Sequence, residues 1–174
     1  MISFAMHLPS PSRVPLIALA IAFLRIAAQA AEAATEPDAT EPEFPRHHFS
    51  VFAGGVTNFD EGEADRETSS TVGLEYEYRF CRMFGAGVLF EDVFGGEREY
   101  IVLAPFSVHP WRGLRLTAGP GADFRSGDTE FVFRTGVGYE FELGHGWTLA
   151  PEIAGDFTHE ANTLVFGVSV GWGF

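Results

Sequence analysis

The sequence contains no lysine and only one cysteine, Cys81. Without a second cysteine no intrachain disulfide forms, and Cys81 lies too far from the start to anchor a lipid behind a leader. A lone thiol in an oxidising compartment is tolerated when buried, so a structural place is expected for it. Positive charge is scarce: 11 arginines face 24 acids in 174 residues, a formal net charge of −13. That balance excludes the basic stripe that nucleic-acid binding needs. It also makes contact with anionic lipid headgroups depend on divalent cations or locally placed arginines. Long apolar runs are missing too. The run from residue 16 to residue 27 falls short of the roughly 20 residues a spanning helix requires and contains Arg25. Beyond residue 45 there is no helix-period segment.

What is present begins with a leader. Residues 1–15 carry Arg13 and no acid, residues 16–27 are almost wholly apolar, and Ala28-Gln29-Ala30 supplies the small-x-small pattern of a signal-peptidase site. Residues 1–30 are therefore expected to direct Sec-type export. Cleavage there removes two of the 11 arginines and none of the 24 acids, taking the formal charge from −13 to −15. Residues 31–45, rich in Ala, Glu, Thr and Pro, read as a flexible acidic tail.

From residue 46 the chain alternates with period two. In the second of eight such segments Val72, Leu74, Tyr76, Tyr78 and Phe80 share one face, opposite Thr71, Gly73, Glu75, Glu77 and Arg79. The last segment sets Leu164, Phe166, Val168, Val170, Trp172 and Phe174 against Thr163, Val165, Gly167, Ser169, Gly171 and Gly173. The others run about 47–58, 84–91, 100–109, 114–121, 131–142 and 147–157. Each is about ten residues, the length a tilted strand needs to cross hydrocarbon. The links after the second, fourth and sixth are tight. Those after the first, third, fifth and seventh are read as longer and mostly acidic, at Asp60–Glu67, Asp92–Glu99, Arg125–Glu130 and Thr158–Asn162. Alternating turns and loops, with an even strand count, predict an all-β fold: an eight-stranded antiparallel up-and-down transmembrane β-barrel over residues 46–174, both termini in the periplasm.

The faces decide between membrane and water. One face is bulky and apolar; the other carries glycine and charge. The charged set is Glu75, Glu77, Arg79, Glu91, Arg115, Asp123, Arg134, Glu140, Glu142, Glu152 and Asp156. It suits an ion-paired, partly hydrated lumen, and it would be costly in a dry ligand pocket. The aromatics segregate as two belts. Trp111, Trp147, Trp172, Phe80, Phe84 and Phe174 fall at the terminal ends of the strands; Phe59, Phe90, Phe94, Tyr100, Phe124, Phe131 and Phe157 fall toward the opposite ends. Pro105 and Pro151 interrupt proposed strands, which implies a bulge or a water-satisfied carbonyl at each.

At its last strand the chain resembles the small bacterial outer-membrane β-barrel proteins of the OmpA/OmpX/OmpW kind, over roughly residues 46–174. Phe174, Trp172, Val170, Val168 and Phe166 look like that family's C-terminal assembly signal. The resemblance implies a cell outer-membrane location, contact with outer-membrane lipid and lipopolysaccharide, and the barrel-assembly machinery as a partner during biogenesis. It implies no cofactor.

Some barrels of this size modify lipid A. His48 and Ser50 share a strand face, as do Ser107 and His109, but both pairs sit at periplasmic ends, whereas a deacylase acting on the outer leaflet needs its dyad at the other end, with a carboxylate orienting the histidine. The six histidines show no metal-ligand spacing, His47 and His48 pointing to opposite faces. The acidic stretch at 60–67 fits no calcium-loop signature, and Gly119-Pro120-Gly121 precedes no helix that would make it a phosphate cradle. The reading that follows is a non-enzymatic barrel with an envelope or surface-contact role. The rival is a small cation-preferring channel.

Overall fold

The computed structural model describes residues 44–58, 68–95, 99–125, 127–159 and 161–174. The leader, nearly all of the acidic tail, Phe59 and the acidic stretch at 60–67 lie outside them. The described residues are all β. Strands β1 (His47–Asn58), β2 (Thr68–Arg79) and β3 (Phe84–Phe94) are followed by β4 (Glu99–Leu103) and β5 (Phe106–Trp111), two pieces of one crossing. Then come β6 (Leu114–Arg125), β7 (Asp128–Tyr139) with its short continuation β8 (Phe141–Gly144), β9 (Trp147–Phe157) and β10 (Asn162–Gly173). Successive crossings of the wall pair antiparallel, with β4 and β5 together pairing β3 and β6, and β7 and β8 pairing β9, and β10 returns to β1 from His48↔Gly173 to Asn58↔Thr163. The sheet is closed: an eight-stranded antiparallel barrel.

The alternation seen in the sequence is the alternation of the wall. On β2, Thr71, Glu75 and Glu77 are buried while Val72, Leu74 and Tyr76 stand exposed. On β10, Val165 and Ser169 point in, and Phe166, Val168, Val170 and Trp172 point out. Exposed apolar side chains thus girdle the whole wall, including Val88, Phe90, Val137 and Ile153. In water such a continuous patch would drive aggregation; hydrocarbon is the solvent that suits it. Trp111, Trp147, Trp172 and Phe174 stand exposed at one end, Phe94, Phe124 and Phe131 at the other. Phe84, expected in the first belt, is instead buried and stacks on Phe106 at 5.9 Å between ring centres.

Pro105 and Pro151 interrupt the ladder without shifting it. The β3 register is the same on both sides of Pro105, from Leu89↔Leu103 to Ala86↔Phe106, and the Pro105 carbonyl still accepts from Gly87 N–H at 2.9 Å. The pairing of β9 with β10 likewise runs through Val168↔Pro151 unshifted. The bulges lie elsewhere, between Val108 and Trp111 and between Glu142 and Gly144.

The turns at the terminal end are tight, as expected. Gly113 (φ 74°) closes one, and Gly144, His145 and Gly146 (φ 92°, 54° and 83°) close another with left-handed backbone that glycine tolerates best. The opposite links are shorter than composition suggests. β6 ends at Arg125 and β7 starts at Asp128, so most of the expected Arg125–Glu130 loop is strand, and Gly127 before β7 has φ 92°. Asp92 and Glu99 lie within strands, and Thr158 closes onto Ala161 through N–H···O at 3.1 Å. Among the described strands, only β1 and β2 are separated by more than four residues, 59–67.

The candidate functional site: a charged lumen

Inward side chains fill the barrel in layers. Toward the loop end Arg134, on β7, meets Asp156, its directly opposite partner on β9, through Nε–Oδ1 at 2.5 Å and Nη2–Oδ2 at 2.6 Å. The same guanidinium donates through Nη1 to Glu91 on β3, whose other oxygen accepts from the Thr71 hydroxyl at 2.6 Å. Glu91 is completely buried. Leu89 and Val93, two residues to either side of it, and Ile101, its cross-strand partner, belong with Leu103 and Val132 to an apolar collar around the triad. A bidentate fork held in such a wall is the strong form of an ion pair. At the rim above, Arg125 reaches Asp123 at 2.9 Å and Glu99 at 3.3 Å.

Below the triad lies a cavity of about 40 Å³ lined in part by Phe52, Glu75, Arg115, Gly119, Gly136 and Glu152. That is room for about one water, whose share of liquid volume is about 30 Å³. Arg115 donates to Glu75 through Nη2, while its Nε has no protein partner and is the group such a water would serve.

The terminal half is organised on Glu77. Its Oε1 accepts from the Ser107 hydroxyl and from His109 Nε2 at 2.9 Å, and its Oε2 faces Arg79 Nε at 3.4 Å. Arg79 Nη2 also grips both oxygens of Glu140, at 2.8 and 3.0 Å. His48 Nε2 shares a hydrogen bond with Thr148 Oγ1 at 3.0 Å. Around them opens a vestibule of about 760 Å³ at the end where β1 begins and β10 ends. Two glycines make this packing possible. A Cβ on Gly85 would overlap Glu77 Oε1 and lie 2.7 Å from Ser107 Oγ; one on Gly171 would overlap the His48 ring.

The charged residues singled out by sequence are thus placed as follows. Glu75, Glu77, Glu91, Arg115, Asp123, Arg134 and Asp156 are buried in the lumen; Arg79, Glu140 and Glu152 point inward and are partly buried. Glu142 departs from the expected set: it is exposed, on the vestibule rim, because β8 lies at the strand's end beyond the enclosed layers. Phe166, Val168, Val170, Trp172 and Phe174 all face outward, with Phe174 tied to β1 by His47 N–H (3.0 Å) and to the His47 carbonyl (2.8 Å). Cys81 sits half-buried in the turn after β2 rather than fully enclosed.

Neither serine–histidine pair forms a nucleophile and base. Ser107 and His109 both address Glu77, and His48 engages Thr148. What sequence did not single out is the meeting of His48, Glu77 and Glu140, one ligand atom of each lying within 4.8 Å of the others. No spacing rule links positions so far apart in the chain.

No family model and no curated protein matches the chain. Solved structures do. The Neisserial surface protein A barrel superposes with a TM-score of 0.61 over 76% of this chain and 100% of its own, at 9% identity. The fold is that of a small outer-membrane β-barrel. The N-terminal barrel domain of Pseudomonas aeruginosa OprF gives a TM-score of 0.59 at 13% identity, and Ail, the attachment invasion locus protein of Yersinia pestis, gives 0.57 at 12%, each over 76% of this chain and 100% of theirs. At such identities the likeness is one of backbone architecture.

Proposed function

We propose that this protein is a non-enzymatic barrel of the Gram-negative outer membrane whose role is structural, a stable element of the envelope, exported by a Sec-type leader and inserted by the barrel-assembly machinery through its last strand. One observation carries the reading: buried side chains pack the lumen between its two ends. The Glu91–Arg134–Asp156 triad stands beside the buried cluster of Val93, Ile101, Leu103 and Val132, and the cavity next to Arg134 has room for about one water. A conducting pore needs a continuous wet path. The outward apolar girdle supports the membrane placement, and Neisserial surface protein A and Ail, the attachment invasion locus protein, share this wall. Outer-membrane lipid and lipopolysaccharide are the wall's own partners, and the acidic stretch at 60–67 is the longest link between successive strands, the segment on which a surface contact would rest.

The test joins location to conductance. In cells, fractionated outer membranes should hold the protein as a band that migrates faster unboiled than boiled. In planar bilayers the purified barrel should give no stable openings. A steady cation-selective current that changes on Glu77→Gln or Glu140→Gln would replace the structural reading with the channel.

A further inference from the structure

The geometry points to a divalent transition-metal site, of the zinc class, formed by His48, Glu77 and Glu140 at the floor of the terminal vestibule. This goes beyond the structural role and does not depend on it. The three come from three separate parts of the wall: β1, β2 and the residue joining β7 to β8. One ligand atom from each lies within 4.8 Å of the other two. Zinc bonds of about 2.0–2.2 Å bring such atoms to about 3.3 Å, so the side chains close by roughly 1 Å or a little more, within reach of small rotations. One imidazole with two carboxylates is a borderline donor set, which favours zinc and its first-row neighbours over calcium or magnesium.

Two further features fit an ion there. Glu77 is presented as a metal-binding carboxylate is usually presented: Ser107 and His109 hold its Oε1, leaving Oε2 toward the Arg79 side of the site. Space for the donors is cut by glycine on both sides, Gly171 at the His48 ring and Gly85 at the Glu77 carboxylate. Among the inward charges of the terminal half of the lumen, Glu75, Glu77, Glu140 and Glu152 stand with Arg79 and Arg115, while Arg82 and Arg112 are exposed on the vestibule rim.

Arg79 occupies the position the ion would take on Glu140. Its side chain already reaches the vestibule and is 15% exposed, so it can turn outward as the metal enters. The fourth coordination position then opens on the vestibule and is filled by water. Bound this way, the ion ties strands from opposite sides of the barrel mouth.

The experiment uses the full mature chain, without an affinity tag, folded in detergent micelles and titrated with Zn²⁺ and, separately, with Co²⁺. Expected are one Zn²⁺ per barrel by calorimetry and visible Co²⁺ absorption bands displaced by Zn²⁺. The unboiled fast-migrating band should also survive to a higher temperature with Zn²⁺ present. His48→Ala combined with Glu140→Gln should weaken binding on the order of 100-fold or more, His109→Ala about 10-fold through its hold on Glu77, and His145→Ala, at the exposed turn, not at all. Gel mobility establishes that each variant is folded. The absence of Co²⁺ bands in the wild-type barrel would overturn the site without recourse to any variant. So would undiminished Zn²⁺ affinity in the folded double variant, or Ca²⁺ competing at equal concentration.

Discussion

Replacing Arg134 with alanine should destabilise this barrel more than any other single lumen change. The substitution removes the two Asp156 hydrogen bonds at 2.5 and 2.6 Å and the bond to Glu91 in one step. It leaves two carboxylates, 3% and 0% exposed, with the Thr71 hydroxyl as the remaining donor to Glu91. Breaking a buried ion pair from one side costs about 3–5 kcal/mol. Two stranded anions argue for the upper half of that range, and water entering the space left by the guanidinium argues against exceeding it, so the expected loss is about 4 kcal/mol. The measurement is equilibrium urea unfolding in micelles, followed by fluorescence of Trp111, Trp147 and Trp172 and by gel mobility, with the denaturant slope unchanged. A companion variant, Glu91→Gln with Arg134→Met and Asp156→Asn, strands no charge and should lie within about 2 kcal/mol of wild type. A loss below about 1 kcal/mol for Arg134→Ala, or equal losses for the two variants, would refute the reasoning that the cost arises from uncompensated charge.

Leu103, 2% exposed in the collar, should cost about 2–5 kcal/mol on truncation to alanine, read by the same unfolding assay. Gly85→Val places carbon where Glu77 Oε1 and Ser107 Oγ already lie; overpacking of about 1–3 kcal/mol is expected, and it should cost Zn²⁺ affinity as well. Deleting Phe174 removes a ring stacked on Trp172 at 4.7 Å and two backbone bonds to His47. Burial against lipid contributes about 1.5–3 kcal/mol, so the purified barrel should still fold in micelles while the yield of folded protein in cells drops sharply. Pulse-labelled membrane fractions would show whether assembly, rather than stability, carries the larger defect.

The wall was legible in the sequence because its code is local. Period two on Val72–Phe80 or Leu164–Phe174 needs no knowledge of partners, and a closed barrel with an apolar exterior follows from the faces alone. The links were misjudged for a physical reason. Glu99, Asp128 and Glu130 keep the strand alternation beyond the hydrocarbon band, and acidity marks contact with water, not loss of hydrogen bonding. β6 pairs with β7 as far as Arg125↔Asp128, with Gly127 at positive φ beside that last rung. Glu142 was misplaced by the same kind of extrapolation, since parity says which way a residue points but not where the enclosure stops. Partnership inside the lumen was out of reach. Asp156 lies opposite Arg134 across one ladder, but Glu91 meets it across the barrel, and His48 finds Glu140 only because register brings β1 and the β7–β8 junction to the same height. Those distances depend on closure, which no single segment encodes.

The seam between β1 and β10 has a topological consequence. His47 and Phe174 hold one another's backbone although almost the whole barrel sequence separates them, so the ends of the sheet are already neighbours. A short linker from residue 174 to residue 46, with new ends opened in the Arg112–Gly113 turn, would leave every rung of the ladder in place. Cutting the circle without rejoining it is another matter, for each half would then present two raw edges to whatever strand came by. A ring has no first strand, and the order in which this one is written along the gene is a matter of delivery, not of shape.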